Sequence, residues 1–148
     1  MAQSYFRRLL GVRSEYGAAR EALDLLLRSW DDLSFAPKNP ITPADAKRAL
    51  DNLDFTYFIR LHAEFESILR DEVSSKGGAP KAKVRQLESQ ALRARGIRPG
   101  SVNRALINRL EAIHRYRNSV AHGAAPGALV AFADALRDFN TFIVHLTP

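Results

Sequence analysis

The sequence predicts an all-α fold, an antiparallel bundle of four to five helices. Three observations predict it. Apolar residues recur at steps of three and four through each long segment, as in Phe58, Leu61, Phe65 and Ile68. No segment alternates as a strand between turn pairs. Prolines and paired glycines fall between the periodic segments rather than in their interiors, at Pro37 and Pro40, at Gly77-Gly78 with Pro80, and at Pro99-Gly100. A chain of 148 residues fits a single domain with a substantial core, and its hydrophobic fraction of 46% suits one.

Taken in order, Ala2 to Val12 reads as a short helix or lead, with Ser14 as the N-cap of a helix to about Leu33. Leu23, Leu26, Leu27, Trp30 and Leu33 are its expected apolar face. Phe35 to Ile41 is a loop. Thr42-Pro43-Ala44-Asp45 is a strong helix start: a hydroxyl cap, proline in the first turn and a carboxylate three residues on. That helix is expected to reach about Ser75, bent near Asp51 to Asp54, and to bury Phe58, Leu61, Phe65, Ile68, Leu69 and Val73. A basic helix follows from Lys81 to about Arg95, with Val84, Leu87 and Leu92 as its thin apolar edge and Gly96 as its stop. Ser101 is the expected cap of a helix over 102–122, Gly123 its C-cap, and 123–127 a tight loop. Pro126 can open a last helix to about His145, burying Leu129, Phe132, Leu136, Phe139 and Ile143. Residues 1–35 are an extra N-terminal helix packed on a bundle formed by 42–148.

The stretch from Glu111 to Gly123 carries the chemistry. Leu106, Leu110, Ile113 and Val120 mark one buried stripe, and Arg117 falls on it. A guanidinium turned toward a core is costly unless it is paired or lines a wet cavity. Asn118 and His122 are four apart and share a face with Glu111 and Arg115. An arginine, an amide and a histidine therefore converge where the helix ends. Glu64 and Glu66 bracket Phe65, and either is the expected counter-charge for Arg117. His114 reads as a surface histidine, with a second catalytic histidine as the alternative. Tyr116 reads as a buried tyrosine, or as a ring on which a base stacks.

Arg117-Asn118, three residues, His122 and Gly123 resemble the Arg-polar-x3-His motif of the HEPN superfamily of small all-helical domains, many of them metal-independent endoribonucleases in toxin and defence systems. Phe65-Glu66 followed by Ile68-Leu69-Arg70 is similar to the early HEPN helix, in which an acidic residue lies near the catalytic arginine. The resemblance covers about Thr42 to the C-terminus. It implies a homodimer that brings two copies of the motif into one cleft. It also implies an alternative, a catalytically inactive module that binds nucleotide or RNA and acts with a partner, an antitoxin or a nucleotidyltransferase. Some HEPN toxins carry a tyrosine two residues after the histidine that such a partner modifies. Ala124 stands there, so that control is not expected.

Charge points to a polyanion. Between Lys76 and Arg117 stand 11 basic residues against Glu88 and Glu111, a charge of +9, while the rest of the chain carries −3. Arginine dominates the window, and its planar fork suits phosphate. Arg93, Arg95, Arg98, Arg104 and Arg109 are the expected RNA contacts. Bulky apolar anchors are not interleaved with them, which argues for nucleic acid rather than a membrane.

Several chemistries are excluded. Cysteine is absent, so there is no disulfide or thiolate metal site. The histidines at 62, 114, 122 and 145 have no metal spacing, and no phosphate loop or dinucleotide fingerprint occurs. Neither a cofactor nor a metal is expected. No apolar run approaches a membrane span and no signal-peptide core opens the chain, so a cytoplasmic protein is expected. RNA can be cleaved without a metal because its 2′-hydroxyl is an internal nucleophile. The reaction needs a proton acceptor, a proton donor and stabilisation of phosphorane charge. His122 fits the acid–base role and Arg117 the phosphate, while Asn118 can orient the histidine or donate to the phosphate. The products would be a 2′,3′-cyclic phosphate and a 5′-hydroxyl.

Overall fold

The computed structural model describes residues 2–32, 41–122 and 129–147. Five helices account for the fold: α1 (Ala2–Arg28), α2 (Pro43–Ser75), α3 (Val84–Ala94), α4 (Arg104–Ala121) and α5 (Phe132–Val144). No strand occurs among the described residues. The longest helix, α2, is the hub, and α1, α3, α4 and α5 all pack on it.

The start of α2 is as its sequence dictates. The Thr42 side chain accepts from the Asp45 amide, Asp45 accepts from the Thr42 amide at 3.0 Å, and Pro43 opens the first turn. The helix runs unbroken through Asp51 to Asp54. Its predicted stripe is buried throughout: Phe58, Leu61, Phe65, Ile68, Leu69 and Val73 are each at most 3% exposed. Phe139 of α5 stacks on Phe65 with ring centroids 4.0 Å apart, which seats α5 across the middle of α2.

Elsewhere the boundaries differ from the sequence reading, each for a local reason. Residues 2–28 form one helix, and Ser14 lies inside it rather than capping a second. Tyr5, Leu9 and Val12, at helical spacing, bury that helix against α2, so no break falls between them and Ser14. Leu23, Leu26, Leu27 and Trp30 are only half-buried, because the buried part of α1 is its N-terminal half; Leu33 lies outside the described residues. The first helix contributes Tyr5, Leu9 and Val12 to the common core.

Asn103, not Ser101, caps α4. Its side chain accepts from the Ala105 amide at 2.8 Å, while Ser101 closes a 3-10 turn over Pro99–Ser101 by donating to the Arg98 carbonyl. Gly96 ends α3 with a φ of +74°, a conformation that favours glycine. The last helix begins at Phe132, and Leu129, expected in the core, is 84% exposed ahead of it. Phe132, Leu136, Phe139 and Ile143 are buried as predicted. Gly123, Ala124 and Pro126 lie outside the described residues. No helix among the described residues is long and apolar enough to cross a membrane.

Candidate functional site

The motif helix α4 buries Leu106, Leu110 and Ile113, and His114 follows on the same side. Arg117, one turn on, is half-buried, and its guanidinium donates to Asn118 Oδ1 at 3.1 Å. Asn118 is exposed. His122 is the C-cap residue: its amide donates to the Asn118 carbonyl at 3.1 Å and its side chain is exposed. The motif thus keeps one helical end together, with Arg117 turned toward the bundle and His122 toward solvent.

Arg117 and Asn118 form part of the wall of a cavity of about 590 Å³ between α2, the start of α3 and α4. His62 and Glu66 contribute from α2, Lys83 and Arg85 from the start of α3, and Glu111, His114 and Arg115 from α4. Behind this wall lies a chain of buried polar groups. Glu88 Oε1 stands 2.9 Å from His114 Nε2, and His114 Nδ1 stands 2.9 Å from His62 Nε2. All three residues are at most 8% exposed. Burial first, then the neighbouring His114 and Arg117, push His62 down to about 3, so its ring is neutral at ordinary pH.

This corrects the reading of His114, which is a core residue rather than a surface one. Residues 110 and 113 are buried, and position 114, four after the first and one after the second, cannot avoid the same side. Sequence reasoning also missed His62 and Glu88. Their signal was present. Position 62 lies four after Phe58 and three before Phe65; position 88 lies four after Val84 and four before Leu92. A polar residue on the apolar stripe of three different helices marks one shared buried cluster.

The other predicted site residues divide. Glu66 and Arg115 share the cavity with Arg117, but Glu66 is held by Arg70 at 2.6 Å. Glu64 points the other way and pairs with Arg8 of α1, since residues two apart on a helix lie on nearly opposite sides. Neither carboxylate pairs with Arg117, so the expected counter-charge is replaced by the amide of Asn118. Tyr116 is half-buried and packs edge-on against Phe58, ring centroids 4.7 Å apart, away from the cavity.

Among the predicted RNA contacts, Arg95 and Arg109 have structural duties. Arg95 pairs at 2.6 Å with Glu72, which is fully buried and also accepts from the Tyr5 hydroxyl. Arg109 Nε donates to both oxygens of Asp138, itself 2% exposed. Arg93, Arg98 and Arg104 are exposed, with no acidic partner among the described residues. None of the five lines the cavity; Lys83 and Arg85 of the same basic window do.

Fold and site define an all-helical domain with a basic cavity backed by a buried His-His-Glu chain. No group of three or more ligating side chains placed to hold a metal ion occurs among the described residues. No family model, curated protein or solved structure matches this chain.

Proposed function

We propose that this chain is a metal-independent endoribonuclease of the HEPN kind, a toxin or defence effector, acting as a homodimer. The observation that carries the reading is the placement of Arg117, Asn118 and His122 on the last two turns of one helix. The arginine and amide stand on the wall of a basic cavity, and an exposed histidine stands one turn beyond. In this scheme Arg117 holds the scissile phosphate and stabilises the charge that develops on it. His122 transfers the proton, and Asn118 fixes the Arg117 guanidinium through the 3.1 Å hydrogen bond. His122 does not line its own chain's cavity, which is why the scheme uses a second chain to complete the cleft.

A second reading has its own support. The cavity is walled by Lys83, Arg85, Arg115 and Arg117, a set that suits a bound phosphate whether or not it is cleaved. In that reading the chain is a nucleotide- or RNA-binding module acting with a partner protein. Incubating the pure chain with mixed RNA in EDTA, beside His122→Ala, separates the two. Wild-type cleavage that the variant lacks supports the nuclease. Intact RNA in both supports the binding module.

A further inference from the structure

Three buried polar groups on three helices form one line of hydrogen bonds, and the line ends at the cavity. A carboxylate only accepts, so Glu88 Oε1 takes its hydrogen from His114 Nε2. While the His114 ring is uncharged, its Nδ1 is an acceptor and takes the hydrogen of His62 Nε2. His62 Nδ1 is then a bare lone pair. It has no hydrogen-bond partner among the described residues, and His62 lines the cavity. A buried polar chain is costly unless every member is satisfied. Here both ends, His62 Nδ1 and Glu88 Oε2, lack a protein partner among the described residues, and of these two residues His62 lines the cavity.

The groups around that end favour an anion. From α4, Arg117 contacts only the neutral Asn118 amide, and Arg115 has no acidic partner among the described residues. Lys83, at the start of α3, likewise has none. The carboxylates in the wall are already engaged, Glu66 of α2 by Arg70 and Glu111 of α4 by Arg85 at 2.7 Å. From α5 the ring of Phe139 lies 6.0 Å from that of His62.

We propose that Glu88, His114 and His62 are a proton relay that loads when a phosphate-bearing ligand enters the cavity. One proton from hydronium or a buffer acid, which is left as water or the conjugate base, adds to His62 Nδ1. His62 passes its Nε2 hydrogen across the 2.9 Å contact to His114 Nδ1. His114 is then an imidazolium between the His62 lone pair and the Glu88 carboxylate, and His62 presents Nδ1–H to a phosphate oxygen. No other bond forms or breaks. Without an anion, burial first and then the Arg117 cation hold His62 unprotonated. A phosphate beside Arg117 offsets that cation, so binding and proton uptake reinforce each other, and affinity rises as pH falls, by up to about tenfold per unit. The inference goes beyond the nuclease reading, because it requires binding and not cleavage. Internucleotide and free phosphate share the oxyanion that it needs.

The test is calorimetric titration of the full chain at pH 7 in two buffers of different ionisation enthalpy. The probe is a 2′-O-methylated RNA tetranucleotide without terminal phosphates. It has no 2′-hydroxyl to react and no phosphate that titrates near neutrality, so any proton taken up is the protein's. His122→Ala runs alongside, since the exposed histidine can itself bind a proton. The expected result is proton uptake, of up to one per chain, in wild type and in His122→Ala, and none in His62→Gln. Competition by inorganic phosphate identifies a free-phosphate site, and its failure to compete identifies an internucleotide one. Should His62→Gln not fold, nitrogen-15 spectra of the wild-type imidazoles decide. Ligand should protonate His62 Nδ1 and leave His114 protonated on both nitrogens. Binding without proton uptake, uptake that persists in His62→Gln, unchanged imidazole spectra, or no binding of either probe overturns the proposal, whether or not the chain cleaves RNA.

Discussion

His62 Nε2 and His114 Nδ1 face each other at 2.9 Å inside the bundle, their rings nearly perpendicular at 87°. The contact joins the central helix to the motif helix one turn below Arg117. It is polar in a helix whose buried face is otherwise aliphatic and aromatic apart from Glu72.

Burial of His62, with His114 and Arg117 beside it, makes stability depend on pH. In the unfolded chain His62 titrates near its ordinary value of about 6.5; in the fold it is pushed down to about 3. Between those values the unfolded chain binds more protons, so stability rises with pH and is lost as pH falls from about 6.5 toward 3. The loss by pH 4 should be on the order of 3 kcal/mol. Urea midpoints measured from pH 7 to pH 4 check this. His62→Leu, close in size and without the titrating ring, should flatten the dependence. A midpoint in wild type that stays constant over that range contradicts a neutral buried His62.

The basic window should split into two kinds of arginine. Arg95→Ala strands Glu72, which is fully buried, and should destabilise by about 3–5 kcal/mol. Its effect on RNA binding should be indirect. Neutralising Arg93, Arg98 and Arg104 together should leave the melting temperature nearly unchanged, since all three are exposed. It should reduce the slope of log affinity against log salt by about two to three. Binding isotherms at several salt concentrations, paired with thermal melts, separate the groups. An unchanged slope in the triple variant would place the RNA path along Lys83 and Arg85 instead.

These two predictions show where the sequence was legible. Helix number, the core stripe of α2 and the Thr42 capping box follow from periodicity and local hydrogen bonding, which short windows contain. The pairing of Arg95 with Glu72 does not, because it joins positions on different helices, and an arginine's free or structural role depends on such a partner. The cavity has the same origin: Lys83, Glu66 and Arg117 come from three segments, and only packing brings them together. What the sequence did hold, unread, was a polar residue on the buried stripe of each of three helices. Positions 62, 88 and 114 could have been grouped on that ground.

Assembly is the third prediction. His122 is exposed and stands off its own chain's cavity, so the proposed reaction needs a second chain to supply it. The protein should be a homodimer at tens of micromolar by light scattering, with the segments from Arg117 to His122 facing each other. Mixing Arg117→Ala with His122→Ala should then restore part of the activity, because one mixed cleft can hold an intact residue of each kind. A monomer that still cleaves RNA would remove the argument for a shared cleft.

The last prediction concerns how the motif variants fail. Arg117→Ala, Asn118→Ala and His122→Ala should all reduce metal-independent cleavage, the first and third to background. Their stabilities follow from the contacts. His122 is exposed at a helix end, and its structural hydrogen bond is made by its amide, which alanine keeps. That variant should lose less than about 0.5 kcal/mol. Arg117 has no carboxylate to strand, only the neutral Asn118 amide at 3.1 Å. Its removal should therefore cost under about 1 kcal/mol rather than the several of a broken buried ion pair. It also removes a cation repelling a proton on His62, so the fall in stability below about pH 6.5 should end at a higher pH and be smaller in total. Asn118→Ala loses only the group that steadies the guanidinium, and should keep intermediate activity. Cleavage rates beside pH-dependent denaturation of the three variants test this. Full activity in His122→Ala would end the nuclease reading, and an unshifted pH profile in Arg117→Ala would disconnect that arginine from the buried histidines.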